Sequence, residues 1–172
     1  MSRPLPTESA AFYHYYIGLT AGEEAVSLPE HHSAQIAAFF SSLPPAKGMH
    51  TYAAGKWTLN QVIQHLVDVE RVFVYRLLWI VRRDQQPLPG FDENSFAANA
   101  SASHRKLTDL IDEWLLLRKS TDRFIAQLSD EELACTGIAN GSLISAKALC
   151  FIIYGHILHH IDIIDTRYLD KD

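Results

Sequence analysis

The chain lacks the features that mark several protein classes. It has two cysteines in 172 residues, Cys135 and Cys150, and no C-x-x-C spacing. That excludes a disulfide scaffold or a cysteine-rich zinc cluster, and the pair reads as free thiols in a reducing compartment. No run of 18 uncharged apolar residues occurs; the most apolar stretch, Ala146 to Ile164, is broken by His156, His159, His160 and Asp162. No membrane partner or membrane span is therefore expected. The opening Met1-Ser2-Arg3-Pro4-Leu5-Pro6 has no apolar run of signal-peptide length, so the expected location is the cytoplasm. Basic side chains are outnumbered, 15 to 20, for a formal charge of −5. Nucleic acid as a partner requires a basic face, and an anionic membrane surface requires the same. Internal repeats and low-complexity segments are missing too. With 48% hydrophobic and 20% charged residues the chain is expected to fold compactly, as a single domain over 1–172.

Histidine is present in excess: nine residues. Their meaning depends on where they fall in the helical pattern. Pro44-Pro45 with Gly48, the stretch Gln85 to Gly90, and Asn140-Gly141 punctuate the chain. Between them apolar residues recur at three- and four-residue spacing. The spacing predicts helices from Pro29 to about Ser42, from the Thr58/Gln61 capping box to about Arg83, from Ser103 to Leu128, and from about Ser145 to Tyr168. Strand signals are nearly absent; a short hairpin is expected only near 138–144, around Asn140-Gly141. Four such helices bury their stripes most simply as an all-α four-helix bundle. The aromatic segment Phe12 to Ile17 is too short for a fifth pillar and is expected to cover one flank.

An α-helix turns about 100° per residue, so His156 and His160 share a face, and Leu149, Ile152, Ile153, Ile163 and Ile164 lie within about 80° of His156. His159 falls at the edge of that stripe. On the second helix His65 shares its face with Val62, Val69 and Val72. Three inward imidazoles each bury a donor and an acceptor nitrogen. Two readings stand on the residues alone: hydrogen-bonded core histidines, or ligands of a divalent cation in the bundle core. No glutamate completes an H-E-x-x-H motif. Asp68 and Glu70 turn away from His65, as a solvated face or as a second layer orienting a ligand. Arg76 is expected to pair with Glu70 or Asp109, with a substrate carboxylate as the alternative. His14, His31, His32, His50 and His104 are expected at the surface, and Trp57, Trp79 and Trp114 as packing anchors.

Several segments together resemble a known family. They are Gly55-Lys56-Trp57-Thr58, the run Gln64-His65-Leu66-Val67-Asp68-Val69-Glu70-Arg71, Gly155-His156-Ile157-Leu158-His159-His160 and Arg167-Tyr168-Leu169. With Asn140-Gly141 and the Arg83-Asp84 to Pro89-Gly90-Phe91 stretch, they resemble the DinB/YfiT-like superfamily from about Tyr15 to Leu169. The resemblance implies a four-helix bundle with a long crossover connection and a divalent metal held by three histidines. Those ligands fall on His65, His156 and His160. The metal in such proteins is nickel, zinc, manganese or iron, and many are dimers, so a homodimer is an expectation. Characterised relatives include thiol S-transferases using bacillithiol or mycothiol, and a glutathione- or mycothiol-dependent maleylpyruvate isomerase.

Three functions follow as expectations. The first is a metal-dependent transferase acting on a small-molecule substrate with an external low-molecular-weight thiol such as bacillithiol, mycothiol or glutathione, because neither cysteine stands beside a histidine. The second is a metal-dependent hydrolase with metal-activated water. The third is a non-catalytic metal- or small-molecule-binding protein.

Overall fold

Pillars form where the apolar stripes fall. In the computed structural model, which describes residues 2–169, the chain is a four-helix bundle with a long crossover and one hairpin. A short helix α1 (His14–Leu19) precedes the first pillar, α2 (Leu28–Ser41), which carries Pro29 in its first turn, where an N–H is not missed. The second pillar, α3 (Leu59–Val81), begins at a reciprocal cap. Gln61 N–H donates to Thr58 Oγ1 at 3.3 Å, and Thr58 N–H donates to Gln61 Oε1 at 2.9 Å. The crossover holds α4 (Glu93–Asn99), capped by Asp92, and leads to the third pillar, α5 (Leu107–Ala126). A one-turn helix α6 (Asp130–Leu133) and a hairpin of β1 (Thr136–Ala139) and β2 (Ser142–Ser145) precede the last pillar, α7 (Ala146–Arg167).

The third pillar starts later than the apolar spacing predicts. Ala102–His104 forms a 3-10 turn and Lys106 is extended as the cap, so the helix opens at Leu107 rather than Ser103. The hairpin turns at Asn140-Gly141, both at positive φ (52° and 73°), as a two-residue turn between twisted strands requires. It also grips the crossover: Leu88 N–H donates to Ile138 O at 2.9 Å, and Asn140 N–H to Leu88 O at 3.0 Å.

Helix α3 packs on α5 and α7, and α2 packs on the same two, which places α2 and α3 at opposite corners. One continuous core runs between them, with Phe40, Leu66, Leu77, Leu110, Trp114 and Ile153 among its members. Burial of each such side chain contributes roughly 1.5–3 kcal/mol. Helix α7 is long and apolar enough by composition to cross a membrane; in this fold that character is used in the core, where most of its residues are buried. Helix α1, which takes up most of the aromatic segment and runs on to Leu19, lies along α7 as a flank.

Two polar residues depart from expectation. Glu70 is not solvated: it is buried and paired with Arg118 of α5 at 2.7 Å, because α5 brings an arginine to that face of α3. His32 is buried rather than exposed, since the chain before α2 folds back and Ala21 N–H donates to its Nε2 at 3.1 Å. Cys135 and Cys150 are both free thiols, and Trp114 is fully buried.

Candidate metal centre

The site arises from helical phase on two pillars. The cap at Thr58 sets the phase of α3, and His65 then faces α7; His156 and His160 lie one turn apart on the face of α7 that looks back. All three are buried, at 6%, 7% and 9% exposure. His65 Nε2 lies 3.2 Å from His156 Nε2, and His160 Nε2 lies 3.1 Å from the same atom. One ring nitrogen from each of the three falls within 4.8 Å of the others. The residues singled out by stripe position are therefore together, while His159 sits half-exposed beside Tyr15 and Tyr16.

The cluster has an aromatic sleeve. The Trp57 ring stands 5.1 Å from that of His65, and Tyr16 and Phe73 set their edges against His156 at 5.6 and 5.8 Å. Trp57 is fixed in turn, its carbonyl accepting from Tyr168 Oη at 2.7 Å. Burial pushes the imidazoles away from the charged form. His65 is brought down to about 4, and His156 and His160 fall well below the usual histidine value through burial and mutual repulsion.

These residues fit a divalent cation. A ring nitrogen offers one in-plane site, yet His156 Nε2 faces two other nitrogens, so one of the two contacts has no good hydrogen bond. His160 Nδ1, also buried, has no partner among the described residues. Nitrogen ligands about 2.0–2.1 Å from one ion stand roughly 2.8–3.4 Å apart between octahedral and tetrahedral angles; the two separations at His156 Nε2 fall in that range, and all three nitrogens lie within 4.8 Å of one another. Three neutral imidazoles suit borderline divalent ions and leave coordination positions open.

Two cavities with different linings reach the cluster, one at His65 and His156 and the other at His160. One, of about 210 Å³, is walled by His65, His156, Tyr13, Tyr16, Phe73, Phe91, Arg76 and Glu93, among others. The other, of about 300 Å³, is walled by His160, Tyr52, Lys56, Trp57, Asn94 and Tyr168. Glu93 and Asn94, successive residues at the start of α4, line one each. Sequence patterning does not single out these α4 residues, because a seven-residue helix with one buried residue carries no usable stripe. Its readable signal is the cap, Asp92 Oδ1 accepting from Asn94 N–H at 2.9 Å. Asp68 does not reach this site; it accepts from Gln64 Nε2 at 3.0 Å and lines a separate cleft.

Residues 30–164 match the DinB superfamily profile. The chain belongs to the DinB superfamily. Among solved structures it is similar to YfiT from Bacillus subtilis, described as "a probable metal-dependent hydrolase with an unusual four-helix bundle topology", at 16% identity and a TM-score of 0.69, over 95% of this chain and 90% of that one. It is also similar to a mycothiol-dependent maleylpyruvate isomerase, at 14% identity and a TM-score of 0.66, over 80% of this chain and 58% of that one. At these identities the likeness is one of fold, and this DinB-superfamily chain spans only part of the isomerase's length. No curated protein matches in sequence.

Proposed function

We propose that this protein is a metal-dependent transferase that joins an external low-molecular-weight thiol to an electrophilic small molecule at the three-histidine centre. The observation that carries the reading is the meeting of two separate cavities at one cluster of imidazole nitrogens. A transfer between two molecules needs two approaches to one reactive point, whereas hydrolysis needs one approach and a general base.

His65, His156 and His160 would hold the ion through Nε2, kept neutral by burial. The ion supplies Lewis acidity, which lowers the pKa of a coordinated thiol. The chain's own part is to position and to exclude water. The Trp57, Tyr16 and Phe73 rings keep the ligand set fixed and the site dry. A dry wall strips solvent from a sulfur nucleophile and brings it close to its target. The thiol S–H bond breaks and its proton passes to buffer, the sulfur lone pair forms the C–S bond, and the acceptor's electron pair leaves with its leaving group or moves to a carbonyl oxygen that then takes a proton from buffer. Neither cysteine of the chain competes as nucleophile: Cys150 is buried with its thiol pushed up, and Cys135 Sγ, just past the end of α6, donates to the Glu131 carbonyl.

Glu93, at the mouth of the first cavity, favours the hydrolase as a second reading, since its carboxylate is the one acidic group lining that wall. The relatives' names bear on both readings, one being called a hydrolase and the other mycothiol-dependent.

The test is a conjugation assay on metal-reconstituted protein with monochlorobimane and bacillithiol, mycothiol or glutathione in turn. A thiol-dependent rate that disappears in His156→Ala and after chelation is expected. Turnover of ester or amide substrates with no thiol dependence would instead establish the hydrolase. Full metal binding with neither activity would leave a binding protein.

A further inference from the structure

Among the described residues two arginines are almost wholly buried, and one of the two has a counter-charge. Arg118, 4% exposed, pairs with Glu70 and Asp122 and lies on the Tyr154 ring. Arg76, 3% exposed, has no ion-pair partner among the described residues. Its expected partners are spent or absent. Glu70 is taken by Arg118, and Asp109 is exposed, accepting from Thr108 at 3.3 Å. Arg76 donates to one carbonyl, Pro89 O at 2.8 Å, and to the Tyr13 hydroxyl, and lies 5.9 and 5.8 Å from the rings of Phe73 and Phe91. These neutral partners offset part of the cost of burying a guanidinium, and a full anion is what completes it.

The place of this cation matters as much as its solitude. Arg76 lines the cavity that contains His65 and His156. With Phe91 it also lines a neighbouring apolar groove of about 450 Å³, walled by Val72, Tyr75, Leu88 and Phe96. The charged side chains of that groove are both cationic, and the other, Arg71, is already paired with Glu113. Arg76 follows His65 by eleven residues on α3, about 16 Å along the axis and within about 20° of the same face, and the Phe73 ring between them lies 5.9 Å from the guanidinium and 5.8 Å from the His156 ring.

We propose that Arg76 is the anchor of a carboxylate-binding site, and that the small molecule taken at this centre is a monocarboxylate with an apolar arm lying in the groove. The planar guanidinium fork matches a carboxylate in two parallel hydrogen bonds. One buried positive charge balances one negative charge, whereas a phosphate dianion would add uncompensated charge to an aromatic cavity that already has Glu93 at its mouth. As the substrate class of the transferase, this rests on the reading above; as a binding site, it stands without the metal.

The experiment separates the two. Titration calorimetry of 4-phenylbutyrate and 4-phenylbutyramide is run on the full chain, metal-loaded and chelated. The acid is expected to bind at least about tenfold more tightly than the amide in both states, the range of a charged hydrogen-bonded pair. Arg76→Gln should erase that preference, and Arg76→Lys should keep part of it. Glu93→Gln should tighten the acid and leave the amide unchanged. Should Arg76→Gln fail to fold, the acid–amide ratio and Glu93→Gln decide the matter. Equal binding of acid and amide overturns the site, as does an acid bound only with metal present and indifferent to Arg76, or inorganic phosphate outcompeting the acid. Arg76-dependent acid binding without any thiol conjugation would instead keep the site and reject the transferase.

Discussion

His156 is the residue on which the centre turns, because its Nε2 is the atom within 3.2 Å of both other imidazoles. Replacing it with alanine removes the shared vertex and leaves His65 and His160 without a common partner. His156→Ala should weaken divalent-metal affinity by about a hundredfold or more, since even outlying partners of a ligand set are worth ten- to a hundredfold. Elemental analysis after dialysis checks this, and retention of a full equivalent of metal would refute the ligand assignment. A pH effect follows from the same burial. The folded values of all three histidines are depressed, so between about pH 6.5 and 4 the unfolded chain binds protons that the folded chain does not. Stability of the metal-free protein therefore falls as pH drops through that window, with His65 alone accounting for about 3 kcal/mol. Melting temperatures of chelated protein at pH 7.5, 6 and 5 measure it; a flat profile would contradict it. At this scale the three imidazoles were legible in sequence because helical phase fixes which way each points. Arg76 was only half legible. Its partner depends on which helix brings a second charge to α3, and that is decided by the packing of α5.

At the scale of elements, the long pillars announce themselves by stripe and cap, and their ends come within a few residues of expectation. The parts that close the site do not. Helix α1 lies on α7 through a backbone-to-backbone approach at Gly155, where an added Cβ would overlap the Tyr16 carbonyl oxygen. That carbonyl belongs to a main chain that cannot swing aside, so Gly155→Ala should displace α1 with its Tyr16 ring and open one wall of the site. A cost of about 1–3 kcal/mol is expected, the usual range for overpacking, together with faster hydrogen exchange in α1. An unchanged melting temperature would show that α1 is loosely held. The hairpin plays a matching part, with Asn140 also in the cavity lining. Its Asn140 and Ile138 hold Leu88, and Leu88 begins the crossover that carries Phe91 and Glu93 to the cavity. The turn itself was readable from Asn140-Gly141. Its grip on the crossover was not, because a strand-edge contact with a loop leaves no periodic trace.

At the scale of the whole molecule, two clusters of buried and half-buried polar groups do different work. One set, Glu70, Arg118, Asp122 and Tyr154, ties α3, α5 and α7 together: Arg118 pairs with both carboxylates, and Tyr154 Oη donates to Asp122 at 2.6 Å. The other set is the imidazole cluster with Arg76 beside it. Glu70 follows His65 by five residues, about 140° around α3, so the two sets face different neighbours. Breaking the first by Glu70→Ala strands a buried guanidinium beside Asp122 and should cost about 3–5 kcal/mol. Metal acts on the second set and stabilises by mass action, with the logarithm of its concentration over Kd. Sites with no shared partner contribute additively, so Glu70→Ala should lower the melting free energy by the same amount in loaded and chelated protein, within about 0.5 kcal/mol. Denaturant titrations of the four species form the cycle. A coupling well above that margin would mean that the ion pair sets the spacing of α3 and α7 at the metal centre. The three imidazoles would then depend on it for their convergence.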